Sequence, residues 1–230
     1  MLERVVTAIE QSGVADSVTV SSDDSNVISG TPVLAALSST GFLRFHRSGA
    51  SPASSVAEFV DSSSREWPVF VTTGDHPLLT PQIIRHFVEH ASRSQADFLV
   101  GLVPASVYRR RFPDQPRTFI PLRGERYSGA NLFLLRTPNA SAVARFWTRA
   151  EEHRKTPWRL VRVFGMVTLL EFLLGRLDLD AALARVARTI GASIEAVELP
   201  FAEAALDVDK ESDRIAVEAV FAERAASSGD

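Results

Sequence analysis

The chain has 230 residues, of which 45% are hydrophobic and 23% are charged, as expected for a soluble globular protein with one sizeable core. This composition excludes collagen-like, low-complexity and disordered chains. The 25 basic and 28 acidic residues give a net charge of -3, which provides no overall attraction to nucleic acid, and we expect no nucleic-acid partner. The lack of cysteine excludes disulfide scaffolds, thiol catalysis and cysteine-ligated metal centres, and it fits a cytoplasmic location.

The first residues and the most apolar segment bear on targeting and membranes. The first ten residues are charged and amphipathic, and they lack the apolar core of a secretory signal. The longest uncharged run in the apolar segment 158–175 is Val163 to Leu170, eight residues, whereas a membrane span needs roughly 20. We therefore expect no membrane span. We interpret the predicted helix over residues 157–175 as buried or as the interface of a homodimer.

Short strand-like segments alternate with helical segments along the chain, which predicts an α/β sandwich with a mostly parallel sheet. In chain order we predict helix Leu2–Ser12, strands Ser17–Ser22 and Phe42–His46, helix Pro52–Asp61, strand Pro68–Thr73, helix Pro81–Ser94, strands Ala96–Val103, Thr118–Leu122 and Asn131–Arg136, helices Asn139–Arg154, Pro157–Leu174 and Asp178–Ile190, strand Ser193–Leu199 and helix Lys210–Ala225.

Local signals support several of these elements. Ser51-Pro52 and Thr80-Pro81 each place a hydroxyl at a helix cap and proline at the first helical position. The run Phe98–Val103 is almost entirely apolar, which is typical of a central strand covered by helices on both faces. Residues 146–191 interrupt the strand alternation and are interpreted as a helical insertion. No linker or internal repeat divides the chain, so we predict one domain over residues 1–230.

The segment after the predicted strand Pro68–Thr73 is the first candidate site. Ligands of open α/β sheets bind beyond the carboxyl ends of strands, and this strand is followed by Gly74, Asp75 and, after one residue, Pro77. The glycine permits a sharp turn and the proline stiffens the exit. Asp75 would therefore lie at the mouth of the sheet, where Mg²⁺ could be bound together with substrate phosphates. The alternative is that Asp75 only caps the turn before the next helix.

A second group of acids lies near the C-terminus. If residues 206–209 are extended, the period of two places Asp207 and Asp209 on one face, where they could share a cation with Asp75. Asp209 is also well placed to cap the helix that begins at Lys210. We therefore expect Asp207 to lie in the site and Asp209 to act partly as a cap.

A third candidate is an arginine-rich stretch before an apolar strand. Residues 109–126 contain six arginines against two acids, a local charge of +4 in a chain that is acidic overall. Guanidinium groups bind phosphate through two parallel hydrogen bonds, which suits a phosphorylated small molecule. Gly129 and Asn131, which follow, would let backbone amides and an amide side chain approach a ligand. A solvated charged loop is the alternative.

Three short motifs occur in a characteristic order. They are Thr73-Gly74-Asp75-His76-Pro77-Leu78-Leu79, then Ser128-Gly129-Ala130-Asn131, then Asp207-Val208-Asp209-Lys210-Glu211-Ser212-Asp213. In this order, over nearly the whole chain, the sequence resembles nucleotidyltransferases of the molybdenum-cofactor guanylyltransferase type, that is, MobA-like NTP transferases. The third motif corresponds to the family's frequent Asp-x-Asp-Thr-Pro-x-Asp ending.

The resemblance implies a fold, a reaction and a site. The fold would be a three-layer α/β/α, Rossmann-like sandwich of the glycosyltransferase-A type. The reaction would transfer a nucleoside monophosphate from a nucleoside triphosphate to a small phosphorylated acceptor and release pyrophosphate, with Mg²⁺ as cofactor. Catalysis and metal binding would fall to Asp75, Asp207 and Asp209. The predicted substrate-binding residues are Gly74, His76, Arg123, Arg126, Ser128, Gly129, Asn131 and Lys210.

One family feature has no counterpart in the sequence. Family members begin with a strand and a glycine-rich loop that cradles the triphosphate, whereas Met1 to Val6 resembles the helix that follows this loop. The resemblance therefore implies an N-terminal truncation relative to the family and weakened triphosphate binding. Two alternatives stay open: a nucleotide- or metabolite-binding protein of the same fold with impaired catalysis, and a sugar-nucleotide glycosyltransferase that uses Asp207-Val208-Asp209 as its metal motif.

Overall fold

The computed structural model describes residues 1–62, 67–152, 171–172 and 174–227, which form seven β-strands and eight α-helices. Most of the predicted helix Pro157–Leu174 and of the proposed dimer surface, and part of the predicted insertion, lie outside these residues. The elements are α1 Leu2–Ser12, β1 Val18–Ser22, α2 Pro32–Ser39, β2 Leu43–Arg47, α3 Pro52–Asp61, β3 Val69–Thr72, α4 Pro81–Arg93, β4 Phe98–Pro104, α5 Ala105–Arg111, β5 Ile120–Pro121, β6 Arg126–Leu135, α6 Ser141–Glu152, α7 Leu179–Ile190, β7 Ile194–Glu198 and α8 Glu211–Ser227.

Helices α2, α3 and α4 begin in the same way. Each has a threonine or serine cap whose hydroxyl accepts a backbone N–H from within the first turn, and each has proline at the first helical position. The predicted caps Ser51 and Thr80 are confirmed. Thr31-Pro32 carries the same signal at the start of α2, a helix that was not predicted.

The strands form two hydrogen-bonded sheets. Strands β1 and β2 pair in parallel, and the larger sheet has the order β3-β6-β4-β7, with β5 added to β6. In the larger sheet β4 and β7 are parallel, whereas β6 runs antiparallel to both β3 and β4. Strands β3, β4 and β7 therefore share one direction and β6 is reversed, so the sheet is mixed. The reversal brings the beginning of β6 to the edge of the sheet where β3 and β4 end.

The larger sheet is covered by helices on both faces. On one face α1, α4 and α8 contribute to the largest apolar core, which includes the fully buried Ile84, Phe87 and Leu132. On the other face α3, α6 and the end of α7 pack in a second cluster. The three-layer α/β/α architecture that the sequence predicts is therefore confirmed. No helix within the described residues is long and apolar enough to cross a membrane.

Strand β6 begins five residues earlier than predicted and contains an irregularity. Its pairing with β4 shifts register between Val100 and Leu102, where Gly101 has no directly opposed partner on β6. Asn131 lies in this bulge with a left-handed φ of 51°, which asparagine tolerates better than most residues. Ser128 and Gly129 therefore lie within β6, and the predicted start of this strand at Asn131 is wrong. The alternation of apolar and polar residues with period two is interrupted at the bulge. The part of β6 before the bulge was therefore not predicted from the sequence.

Candidate active site

The loop that follows β3 presents several buried polar atoms at the carboxyl edge of the sheet. Oδ1 of Asp75 is buried and has no hydrogen-bond partner among the described residues, and the same holds for the hydroxyls of Thr72 and Thr73. Buried polar atoms in proteins are almost always hydrogen-bonded. A cluster of them beyond the end of one strand is therefore typical of a place where a bound group completes the hydrogen bonds.

His76, predicted to bind substrate, lies beneath this loop. Its side chain is 1% exposed, and Nε2 lies 3.1 Å from the carbonyl oxygen of Glu203. Burial lowers the pKa of His76, although the contact with Glu203 opposes the shift, so the ring is neutral at pH 7. The structure therefore gives His76 a role in supporting the Asp75 loop from within the core. Gly74 lies in the same loop, and a Cβ at this position would lie 3.3 Å from Cδ1 of Leu2.

The C-terminal acids meet the Asp75 loop through the backbone. The amide of Val208 donates to the carbonyl oxygen of Asp75 at 3.0 Å, which fixes residues 207–209 beside the end of β3. The pKa of Asp209 is raised, chiefly by the negative charge of Asp207, then by burial and by the charge of Asp75. The three predicted carboxylates thus share one electrostatic environment, which a bound cation would stabilise.

Asp207 is held on both sides by other residues. Arg117 forms an ion pair with Oδ1, and Nδ2 of Asn131 donates to Oδ2 at 3.0 Å. Arg117 also donates from Nε to Oγ of Ser128 at 2.8 Å and from Nη2 to the carbonyl oxygen of Gly129 at 3.3 Å. Burial by itself favours the neutral acid, but the hydrogen bond and charge of Arg117 outweigh it and lower the pKa of Asp207. The bulge in β6 places Asn131 and Gly129 where they complete this network.

The start of α8 corrects the expected role of Asp209. The backbone amides of Asp209 and Lys210 both donate to Oδ2 of Asp213 at 3.2 Å, and Nε2 of Gln115 donates to its Oδ1 at 2.8 Å. Asp213, which is 6% exposed, therefore caps this helix in place of Asp209. The carboxylate of Asp209 is exposed and accepts no hydrogen bond from the described residues, so it is available to a ligand. Lys210 is also exposed beside it.

The arginines predicted to bind phosphate do not form one surface. Arg111 pairs with Glu203 and Glu223, and Arg123 pairs with Asp178 at the start of α7 with Nη2 3.1 Å from Oδ2. Arg126 is exposed at the first position of β6. Among the ion pairs of the described residues, that of Arg117 with Asp207 is the one that joins any of the six arginines to Asp75, Asp207 or Asp209. In the sequence Arg117 is one of six arginines in the basic stretch. Nothing local distinguishes it from its neighbours, so no individual role was predicted for it.

The residues present fit a magnesium ion. Within the described residues, no three histidine, aspartate or glutamate side chains are already arranged around one point. Mg²⁺ does not need such a cage, since it is usually held by one or two carboxylates together with water and substrate phosphates. The unpartnered oxygen of Asp75 and the exposed carboxylate of Asp209, whose pKa is raised by neighbouring acids, are hard oxygen donors of this kind.

Comparison with known proteins agrees with this geometry. The model of the family described as MobA-like NTP transferase domain matches residues 1–156, which is more than half of the chain. The chain belongs to this family. A MobA-like domain implies binding of a nucleotide, and nucleotidyltransferase activity in general follows from the family. No match was found among curated proteins.

Solved structures of transferases share the fold of this MobA-like domain. A hypothetical transferase from Thermus thermophilus is 27% identical, with a TM-score of 0.75, and the match covers 93% of this chain and 85% of that one. 4-Diphosphocytidyl-2C-methyl-D-erythritol synthase from Anaerococcus prevotii is 8% identical, with a TM-score of 0.60 and coverages of 96% and 85%. CMP:2-keto-3-deoxy-manno-octonic acid synthetase, complexed with CTP, is 14% identical, with a TM-score of 0.56 and coverages of 97% and 88%. The last two show the fold alone.

Proposed function

We propose that this MobA-like domain transfers a nucleoside monophosphate from a nucleoside triphosphate to a small phosphorylated acceptor and releases pyrophosphate. The observation that carries the proposal is the meeting of Asp75 and Asp209 at the carboxyl edge of the sheet, with one buried oxygen of Asp75 unpartnered and Asp209 free of hydrogen bonds among the described residues. The family and the structural relatives support the general class of reaction.

The proposed reaction requires that the two substrates are positioned and that the charge of the triphosphate is neutralised. It does not require a nucleophile from the protein. An oxygen of the acceptor attacks the α-phosphorus in line with the departing pyrophosphate, so no covalent enzyme intermediate is needed. Mg²⁺, when bound by Asp75 and Asp209, would neutralise charge on the triphosphate. Ser128 and Gly129 accept hydrogen bonds from Arg117, and Asn131 orients Asp207 beside the two acids. His76 supports the Asp75 loop from below.

Pyrophosphate release tests this reaction. Each of the four nucleoside triphosphates is combined with Mg²⁺ and a panel of phosphorylated acceptors, and wild type is compared with Asp75→Asn. We expect Asp75→Asn to lower kcat/KM at least about a hundredfold, which corresponds to about 2.7 kcal/mol of transition-state stabilisation. Asp16→Asn is the matched control, because Asp16 is an exposed carboxylate in the turn before β1.

Other results would support the competing functions. Nucleotide binding by calorimetry without release of pyrophosphate from any triphosphate would indicate a binding protein of the same fold. Release of sugar from a sugar nucleotide, with no pyrophosphate, would indicate a glycosyltransferase. Equal activity of wild type and Asp75→Asn would show that Asp75 does not hold the metal.

A further inference from the structure

Arg117 lies on the segment between α5 and β5 and reaches across β6 to the acidic residues. Its side chain is 19% exposed, and the side chain of Asp207 that it contacts is 14% exposed, so the ion pair is largely removed from solvent. The two residues are 90 positions apart in the sequence. A partly buried guanidinium with three acceptors, on Asp207, Ser128 and Gly129, is held in one defined position.

The charges around Arg117 are unbalanced without it. Asp75, Asp207 and Asp209 lie together at one edge of the sheet, because the amide of Val208 donates to the carbonyl oxygen of Asp75 at 3.0 Å. Among the ion pairs of the described residues, one involves these three carboxylates, and its cation is Arg117. It therefore acts as the internal counter-ion of the site when no other cation is bound.

A divalent cation and Arg117 compete for the same carboxylate oxygen. Oδ1 of Asp207 accepts from Nη1 of Arg117, and Oδ2 accepts from Asn131, so a divalent cation bound to Oδ1 would lie directly against the guanidinium. Two positive charges at neighbouring positions repel each other strongly where solvent is largely excluded. A cation shared by Asp75, Asp209 and Asp207 therefore requires the guanidinium to leave Asp207.

We propose that Arg117 is an exchangeable counter-ion that releases Asp207 to a divalent cation only when the phosphates of a nucleotide accept the guanidinium. The proposal rests on the proposed function, because it concerns the same metal and nucleotide. Arginine suits this exchange, since its planar fork binds carboxylate and phosphate with the same geometry. Its contacts with Ser128 and Gly129 hold the Nε side of the guanidinium near the site while Nη1 changes partner.

Two consequences follow from the exchange. The metal alone binds weakly, because it must displace Arg117 without compensation. Metal and nucleotide each strengthen the binding of the other, since such coupling is reciprocal. Arg117 would therefore favour binding of the metal together with the nucleotide. It would weaken binding of the metal ion in the absence of substrate.

The first test measures Mn²⁺ alone, from the electron paramagnetic resonance signal of the free ion, in wild type, Arg117→Gln and Arg123→Gln. We expect Arg117→Gln to bind Mn²⁺ about tenfold more tightly than wild type, because a positive charge beside the site is removed. Arg123→Gln is the control, because Arg123 pairs with Asp178 and forms no ion pair with Asp75, Asp207 or Asp209. Adding Asp207→Asn to Arg117→Gln should abolish the gain. Unchanged or weaker Mn²⁺ binding by Arg117→Gln would overturn the proposal.

The second test uses the wild-type chain and does not depend on the folding of a variant. The ¹⁵Nε resonance of Arg117 is followed by NMR during addition of Mg²⁺, and then of Mg²⁺ with a non-hydrolysable triphosphate analogue. We expect Mg²⁺ alone at low millimolar concentration to leave the resonance in place, and the analogue with Mg²⁺ to shift it. A resonance that stays unchanged while the analogue binds would refute the exchange. Pyrophosphate release is scored separately, so a chain that exchanges Arg117 without turnover contradicts only the proposed reaction.

Discussion

The hydroxyl of Tyr108 offers a sharp test of how buried polar groups affect this fold. Tyr108 is fully buried, and its ring packs against Phe112 and Phe119 at centroid distances of 5.3 and 5.7 Å. Its hydroxyl oxygen has no hydrogen-bond partner among the described residues. Burial raises the pKa of Tyr108 to about 12, so the hydroxyl remains protonated at pH 7 and carries an unsatisfied donor. We predict that Tyr108→Phe stabilises the protein.

The size of the effect follows from what the substitution removes. Phenylalanine retains the ring and its contacts with the two neighbouring aromatic residues, so no cavity larger than the hydroxyl is created. An unsatisfied buried polar group costs about 1–3 kcal/mol. Allowing for relaxation around the hydroxyl, we expect the free energy of unfolding to rise by about 1 kcal/mol. For a chain of this size the melting temperature should increase by about 2–4 °C.

Tyr127 provides the matched control, because the same substitution there should have the opposite effect. Its hydroxyl donates to Oε1 of Glu198 at 2.8 Å, and its side chain is 8% exposed. Burial, followed by the hydrogen bond with Glu198, raises the pKa of Tyr127 to about 12. Tyr127→Phe removes a satisfied hydrogen bond to an exposed carboxylate that water can solvate. We expect it to lower the free energy of unfolding by about 1 kcal/mol.

Urea denaturation of wild type, Tyr108→Phe and Tyr127→Phe at pH 7 measures both effects. The midpoint is compared at constant m value, because a change in m would indicate an altered unfolded state. The two variants should differ by about 2 kcal/mol, because one gains about 1 kcal/mol and the other loses about 1 kcal/mol. Destabilisation of Tyr108→Phe by as much as Tyr127→Phe would refute the reasoning and would show that the hydroxyl of Tyr108 is satisfied in solution.

Two further predictions concern the bulge in β6 and a partly exposed hydrogen-bonded link between elements at Asp97. Asn131→Ala should destabilise the fold by about 1–2 kcal/mol in thermal unfolding, and Asn131→Gly by less, because glycine accepts the positive φ and both variants lose the hydrogen bond to Asp207. Asp97→Ala should lower the free energy of unfolding by about 1–2 kcal/mol at pH 7, because its carboxylate accepts from Thr137 and Ser193. Hydrogen bonding, led by that from Thr137, lowers the pKa of Asp97, so this contribution is complete above the unfolded pKa of about 3.9 and is lost as the pH falls through the lower folded pKa. Unfolding at pH 7 and pH 2.5 should therefore differ less for Asp97→Ala than for wild type, and an equal difference would contradict the assignment.

The helices and strands could be predicted wherever their signals are local. The predicted bounds of α1 and α3 match the structure at both ends, because their signals are local: α1 is amphipathic and ends at Gly13, and α3 begins with the cap Ser51 followed by Pro52. Helix α2 was missed although Thr31-Pro32 carries the same capping signal, since its eight residues contain little amphipathic contrast. Helix α5 was missed because it follows β4 without an intervening loop.

The candidate site could be predicted only in part. Asp75 was identified because it follows a predicted strand, and Asp207 and Asp209 because the period of two places them on one face; the structure brings these acids together. Asp213 and Arg117 could not be assigned roles from the sequence. Asp213 is held in part by Gln115, which is 98 residues away in the chain, and Arg117 contacts Ser128 on β6 and Asp207, which is 90 residues away.

The sequence by itself determined the alternation of elements, the apolar faces that cover the sheet and the family to which the motifs belong. These properties depend on residues within one or two turns, or on short motifs in a fixed order. Only the tertiary structure decided that β6 is antiparallel to its neighbours with Asn131 in a bulge, and that Arg117 forms an ion pair with Asp207. Asp207 contacts Asn131 and Arg117, which lie 76 and 90 residues away in the chain. These contacts depend on how the strands are arranged in the sheet, and no local sequence pattern predicts them.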